Sequence, residues 1–475
     1  MLSNLELHAL LNSTFISLGV SFFSVLISLF LAFSLSFYKI PGKRLFSFLF
    51  LIPLLIPPYL HAFSWMHLLL FLENYNLSVI RHLNSLPGII GILTLAYFPI
   101  SFFIIHQAIK NIPQHLIDAA LQVTNPVRVL KRIVFAAILP STLTATLLTF
   151  IVTFITFDVP AYLGKNVFIT QIFKSFTFTS EIPRALYLSV IPVFIVGSMW
   201  AILLLYLVKE KPFFSLQSFK KSVPFSIQQP RLLKILMLSL FVVLFLLSSI
   251  LPIGILQVKN ILYDKIPFYT ASSFGVITNT FWISFISSIC IVFFSTLIYI
   301  MFFRKMAGRI FFLSLLALPP ITYGILFIYL FNHPSLNVIY ATPIILIIAY
   351  CFRFAPLVSE LLHTHTQQVN PQYLEAARLV YPPSLRMFHR IVIPLYKPVL
   401  FLAWVFSFWL VATELPITLL IQPPGFQTII TRLFIVLHYG AVELMSLMTV
   451  ALLFVSLLPI LAIYFFFHID KKNDQ

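Results

Sequence analysis

The sequence predicts an all-α, polytopic membrane protein of about eleven transmembrane helices in two repeated halves. Three observations predict it. The 475 residues are 60% hydrophobic and only 9% charged, with mean hydropathy +1.02, a composition no soluble globular chain requires. Apolar runs recur at the roughly 20 residues that cross a bilayer as a helix. One stretch of mixed polar and apolar residues occurs twice, about 257 positions apart, as a duplicated structural unit would place it.

In chain order the apolar runs lie near 12–38, 46–72, 88–109, 137–161, 185–208, 232–257, 273–303, 310–331, 337–361, 398–421 and 443–468. Residues 1–11 have neither the basic start nor the small-residue cleavage pattern of a removable signal. Asn12-Ser13-Thr14 opens the first run, and Thr278-Asn279-Thr280 stands at the start of the seventh. These two runs correspond. The second half has one more run ahead of this point, 232–257, and the first half has none. The expected division is therefore a repeat over 1–208 with about five helices, a basic, proline-containing linker over 209–235, and a repeat over 236–475 with about six. The linker's Lys and Arg residues suit contact with anionic lipid.

The second run of each half is rich in proline: Pro53, Pro57 and Pro58 in one, Pro319 and Pro320 in the other. Proline lacks an N–H and kinks a helix. Such a kink is either a deformable element near a solute path or a packing feature.

The repeated stretch follows. Residues 370–398 read NPQYLEAARLVYPPSLRMFHRIVIPLYKP, and 113–140 contain PQHLIDAALQVTNPVRVLKRIVFAAILP. Asp118-Ala119-Ala120 stands where Glu375-Ala376-Ala377 stands later. Each triplet follows Pro-Gln and Leu, and each is interrupted by proline before running through basic residues into an apolar span. The expected shape is helix, break, helix, with an apolar face and a basic rim.

A further acid recurs after the next span. Asp158 and Glu414 each precede a proline by two residues, about 40 residues after the loop acid. A carboxylate beside a membrane span faces protein or an aqueous cavity. The pair either lines a cation path or caps helices. Cys290 and Cys351 lie inside apolar runs, which argues against a disulfide framework. His363 and His365, two apart on a helix, point to different faces, which favours an interfacial place over a metal site.

The formal net charge of +17 would suit nucleic acid, but its distribution argues otherwise. About 22 of the 30 Lys and Arg residues fall in alternate loops, including both copies of the repeated stretch. The positive-inside rule makes those loops cytoplasmic, the N-terminus external and the C-terminus cytoplasmic.

The repeated stretch resembles the EAA loop of the membrane subunits of ATP-binding-cassette importers. In that family Glu-Ala-Ala is followed by Gly four residues after the last Ala, then Ile or Val, then Leu-Pro. Glu375-Ala376-Ala377, Ile391 and Ile393-Pro394 stand in register, with Tyr381 at the Gly position. In the first copy Asp118-Ala119-Ala120 and Val134 match, Thr124 takes the Gly position, and Leu139-Pro140 is displaced. Thr124-Asn125-Pro126 and Tyr381-Pro382-Pro383 break the helix another way, through the tolerance of Asn for left-handed geometry and the extended bias before Pro. The segment Glu414-Leu415-Pro416-Ile417-Thr418-Leu419, with Pro424-Gly425-Phe426 beyond, resembles permeases of the ferric iron type, as does Arg353-Phe354-Ala355-Pro356. Thiamine, phosphonate and polyamine permeases are close relatives of that type.

The resemblance implies a type I importer permease with both halves fused. Relative to permeases with six helices per half, the first helix is missing. The resemblance also implies two copies of a cytoplasmic cassette ATPase as partners, each holding one loop in a surface groove, and an external or periplasmic solute-binding protein. No G-x-x-x-x-G-K-[ST] phosphate loop occurs, so ATP belongs to the partners and the chain needs no cofactor of its own. The absence of H-E-x-x-H, C-x-x-C and G-x-S-x-G argues against an enzyme, leaving no catalytic residue to assign. A secondary transporter with an internal repeat is the rival reading; it calls for carboxylates near mid-membrane and no partner ATPase.

Overall fold

The structure is a computed structural model of the chain. It describes residues 2–73, 84–178, 181–209, 230–262, 266–303, 305–369, 372, 390–391, 393–439, 444–445 and 447–458. In order these form α1 (Asn4–Phe37), α2 (Lys43–Leu49), α3 (Pro58–Glu73), α4 (Leu86–Lys110), α5 (Gln114–Val123), α6 (Pro126–Phe154), α7 (Asp158–Tyr162), α8 (Phe168–Thr177) and α9 (Ile182–Lys209). Then α10 (Arg231–Phe245) runs through a π turn, Leu246–Ile250, into α11 (Leu251–Leu262). The remainder are α12 (Ile266–Ile298), α13 (Met306–Ser314), α14 (Pro320–Phe331), α15 (Asn337–Tyr340), α16 (Ile344–Gln368), α17 (Ile393–Ala412), α18 (Pro416–Ile421) and α19 (Ile429–Tyr439).

Among the described residues eight helices are long and apolar enough to cross a membrane, or up to ten if each of two bent pairs is one span. The protein is thus all-α and polytopic. Of the eleventh expected run, 443–468, the structure describes the helix Leu447–Leu458 and little more. The run expected at 137–161 begins earlier, because α6 starts at Pro126 and passes through a π turn at Leu130–Val134. The second helix of the first loop is therefore the opening of the span itself.

The proline-rich runs are not single kinked helices. Lys43–Leu55 and Pro58–Leu70 meet at 91°, and Met306–Ala317 and Pro320–Phe331 meet at 93°. Two prolines in succession remove two donors from the ladder. Each also drives its predecessor out of helical geometry: Ile56 (φ −96°, ψ 116°) and Leu318 (φ −64°, ψ 125°) are both extended.

Two compact units divide the chain. The described residues of Met1–Leu188 and Gln217–Asp264 form one, and those of Ser189–Leu216 and Lys265–Gln475 the other. The run counted from the sequence as the first helix of the second repeat, α10, packs inside the first unit, where Met237 and Phe241 join the core of Phe37, Phe50, Phe98, Phe102 and Ile105. The second unit's core is built from α12, α14, α16, α17 and α18, with Tyr323, Tyr350, Val358, Ala403 and Ile417 buried together. Most of the expected linker, residues 210–229, lies outside the described residues.

The same polar bonds hold each unit internally. Asn12 Nδ2 donates to the carbonyl of Asn166 (3.0 Å), and Asn279 Nδ2 to that of Gln427 (3.3 Å). The Ser13 hydroxyl accepts from the N–H of Phe168 (2.8 Å), and that of Thr280 from Ile429 (2.7 Å). Ser28 Oγ donates to the carbonyl of Phe98 (2.9 Å), and Ser295 Oγ to that of Ala355 (3.1 Å). These last two carbonyls precede Pro99 and Pro356, which lie inside helices. Each proline frees the carbonyl four residues back, that of Leu95 or Phe352; the hydroxyls instead add an interhelical bond to the carbonyl just before each proline. The correspondence of Asn12-Ser13 with Asn279-Thr280 expected from the sequence is thus a correspondence of bonds.

Candidate functional site

The first repeated loop is fully described. Pro113, extended at φ −60° and ψ 128°, leads into α5. Ile117 is the one residue of α5 that is wholly buried, among Ile112, Val129, Val134 and Ile138; Ala120 and Leu121 pack partly against the same core. Asp118 and Ala119 face outward. So do Leu116, Val123 and Val127, at 50%, 89% and 58% exposure. Arg128, Lys131 and Arg132 are exposed beyond them. The loop therefore presents a mixed apolar and charged outer face, while its other side is fixed to the protein. No ion pair to Asp118 occurs among the described residues.

The break between α5 and α6 differs in one respect from expectation. Thr124, at the family's Gly position, is extended (φ −145°, ψ 168°), and its N–H donates to the carbonyl of Ala120 (3.0 Å). Asn125 is also extended (φ −75°, ψ 156°) rather than left-handed, and its Oδ1 accepts the N–H of Arg128 (2.9 Å) as an N-cap. Pro126 then takes the first helical position, where its missing N–H costs nothing. This geometry makes no demand for positive φ, so the loop turns without glycine. Pro140 lies within α6 and does not end it.

In the second copy, Glu375, Ala376 and Ala377 lie outside the described residues, as does Tyr381. Pro394 is described; it is exposed at the start of α17.

Asp158 and Glu414 occupy matching places, beyond the ends of Pro126–Phe154 and Ile393–Ala412, but bond differently. Glu414, 7% exposed, caps α18: Oε1 accepts from Ile417 N–H (3.0 Å), and Oε2 from Thr418 N–H (3.1 Å) and the Thr418 hydroxyl (2.9 Å). Asp158 Oδ1 accepts the N–H of Val159 (3.0 Å), and its carboxylate also accepts the N–H of Tyr59, in the first turn of α3. Asp158 thus ties α7 to the arm that starts after the Pro57–Pro58 break. Burial raises both carboxyls above their ordinary values, Asp158 to about 6, and the backbone donors partly offset it.

The sequence marked Arg353 only as part of a subfamily segment. In the structure it serves the other break. Arg353 Nη1 donates to the carbonyl of Leu318 (2.6 Å), its guanidinium lies 5.5 Å from the Tyr323 ring centroid, and Tyr323 Oη donates to the carbonyl of Leu315 (2.8 Å). Leu315 lies four residues before Pro319, which has no N–H to offer it.

Two ion pairs went unread in the sequence. Glu6, at the start of α1, meets Arg184 at 2.7 Å, and Arg309 of α13 forms a two-pronged pair with Glu360 of α16. The available signal for the second was an acid within a long apolar run, which calls for a partner in protein.

The His363 ring lies near Tyr299 and Phe303, and the His365 ring near Tyr396, so the two diverge. Cys290 and Cys351 are free thiols. Among the described residues no group of three or more His, Cys, Asp or Glu converges.

The chain is similar to a curated relative, the Fe(3+)-transport system permease protein FbpB 2 of Haemophilus influenzae. The two are 23% identical over 436 residues, covering 88% of this chain and 82% of the relative. No family model matches the chain, and no solved structure matches it.

Proposed function

We propose that this chain is the membrane-spanning permease subunit of an ATP-driven importer of ferric iron, with both permease halves fused in one polypeptide. The observation that carries the reading is the similarity to a ferric iron permease along nearly the whole chain. The outward-facing first loop supports it. The chain is a transport subunit and not an enzyme.

Two cytoplasmic cassette ATPases bind ATP in this reading, each receiving one of the loops at 113–140 and 370–398. Leu116, Val123 and Val127 enter the groove as apolar anchors, with Asp118 and Glu375 meeting basic residues of the ATPases. ATP-driven closure of the ATPases moves the loops, and the path opens outward to a periplasmic binding protein that releases iron. The protein sits in the bacterial inner membrane with its N-terminus outside and its C-terminus cytoplasmic. Asp158 and Glu414 are the candidate acids of the path. A carboxylate offers about four acceptor positions, and the bonds above leave some open on each.

The experiment is uptake of radiolabelled ferric iron by cells carrying the gene, lacking it, or complemented with it. Loss and restoration of uptake is expected, with thiamine, phosphonate and polyamine uptake unchanged. Unchanged ferric uptake in the deletion strain overturns the iron reading.

A further inference from the structure

A cavity of about 380 Å³ opens on the first unit, lined by Leu29, Phe30, Phe33, Ser34, Tyr38, Phe135 and Met237. It is a shallow groove, open along most of its length. Three helices form it: the last turns of α1 and the first turns of α6 and α10. Phe30 and Phe135 are exposed, and Phe30 is held edge-on against Phe241, with ring centroids 6.2 Å apart. Apart from Ser34 and Tyr38 the lining is apolar.

The charged residues flanking the cavity on α6 and α10 are all basic; the exposed Asp118 stands on α5. Lys131 lies one turn before Phe135 on α6, and Lys234 one turn before Met237 on α10, so helical spacing puts each on the side of its cavity residue. Arg132 and Arg231 stand beside them and are exposed. No Asp or Glu occurs in 29–49, 119–157 or 230–262. An apolar groove that leads toward the end of three helices, with cations at its mouth, is complementary to an acyl chain below an anionic headgroup.

We propose that this groove holds an anionic phospholipid. An acyl chain lies along Phe30, Phe33, Phe135 and Met237, and the phosphate is met by Lys131 and Lys234. The proposal does not depend on the transported solute.

The test is native mass spectrometry of the full chain in detergent, titrated with dioleoyl phosphatidylglycerol or dioleoyl phosphatidylcholine. The variants are Lys131→Gln/Lys234→Gln, Phe135→Ala, and Lys305→Gln as a basic control elsewhere. The wild type and the control are expected to retain phosphatidylglycerol about tenfold better than phosphatidylcholine. The double lysine variant keeps phosphatidylcholine retention and loses the preference, while Phe135→Ala weakens retention of both. All these substitutions are at exposed or half-buried positions, and an unchanged melting temperature checks their folding. Equal retention of the two lipids by the wild type overturns the proposal, as does a full preference in the lysine variant. If phosphatidylglycerol is retained only after deletion of residues 210–229, the groove is covered by the chain itself, and the proposal is again overturned.

Discussion

Arg353 donates from Nη1 to the carbonyl of Leu318 at 2.6 Å, across the point where one membrane segment turns by 93°. The N–H of Thr322, four residues on, goes instead to Pro319 (3.0 Å). A proline pair can bend a helix only where something else serves the carbonyls it frees, and here a buried cation does so. Replacing Arg353 with Leu leaves Leu318 unserved by that cation. Losing a charge-assisted bond costs about 1.5–3 kcal/mol. The melting temperature of the purified protein should fall by several degrees. A melting curve that overlays the wild type would mean the bend holds without the arginine.

The Arg309–Glu360 pair has side-chain exposures of only 12% and 9%. Breaking a buried pair by removing one partner costs about 3–5 kcal/mol, whereas replacing both with apolar residues is often near neutral. Arg309→Leu and Glu360→Leu should each lower thermal stability, and the double variant should recover most of the loss. An additive double variant contradicts coupling between the two.

Asp158 titrates near 6 because burial penalises its charged form. The sign follows from linkage. Below its ordinary value of 3.8 the group is protonated whether folded or not and costs nothing. As pH rises toward about 6 the unfolded chain is already ionised while the folded one resists, so wild type loses stability. Asp158→Asn has no such term. The melting-temperature difference in favour of Asp158→Asn should widen from about pH 4 to about pH 6 and then level off. A difference that does not vary over this interval refutes the buried-carboxylate account.

Glu414 caps α18 through two backbone N–H groups. Glu414→Ala should cost about 0.5–2 kcal/mol of stability, as loss of a cap does, and Glu414→Gln less, since its amide oxygen keeps one of the two backbone bonds while its NH2 faces the other donor. Ferric uptake by the Gln variant then separates capping from a path role. Reduced uptake with intact stability is expected from a path acid. Normal uptake by the Gln variant, also when combined with Asp158→Asn, removes both carboxylates from the path.

Asp118 is exposed and free of ion pairs among the described residues, so Asp118→Ala should leave the melting temperature unchanged. It should weaken docking of the ATPase about tenfold, the worth of one charge-assisted contact. Glu375→Ala should act in the same direction. Co-purification of the ATPase and substrate-stimulated ATP hydrolysis read the effect. A double variant that still copurifies and transports normally reduces the loops to surface segments.

The sequence by itself determined the fold class and marked the recurring elements. In a membrane every backbone group must be satisfied close by, so long apolar runs are helices, and successive prolines mark where a helix is disturbed. That is why Pro57–Pro58 and Pro319–Pro320 were legible as paired features, and why Asn12 and Asn279 were recognisable as equivalents before their bonds were seen. The charges on Arg128, Lys131 and Arg132 likewise marked the first loop as polar surface.

Tertiary structure alone decided the rest. The bends are right angles because Ile56 and Leu318 are extended and their arms pack sideways. Asp158 reaches Tyr59, about a hundred residues away, and Arg353 reaches Leu318 from another helix. The helix at 231–262 joins the first unit, although the sequence counts it with the second half. Apolar packing is non-directional, so nothing in a run of Leu, Ile and Phe names the helix it will pack against. The choice of partner emerges only when shape and the few buried polar groups must all be accommodated at once.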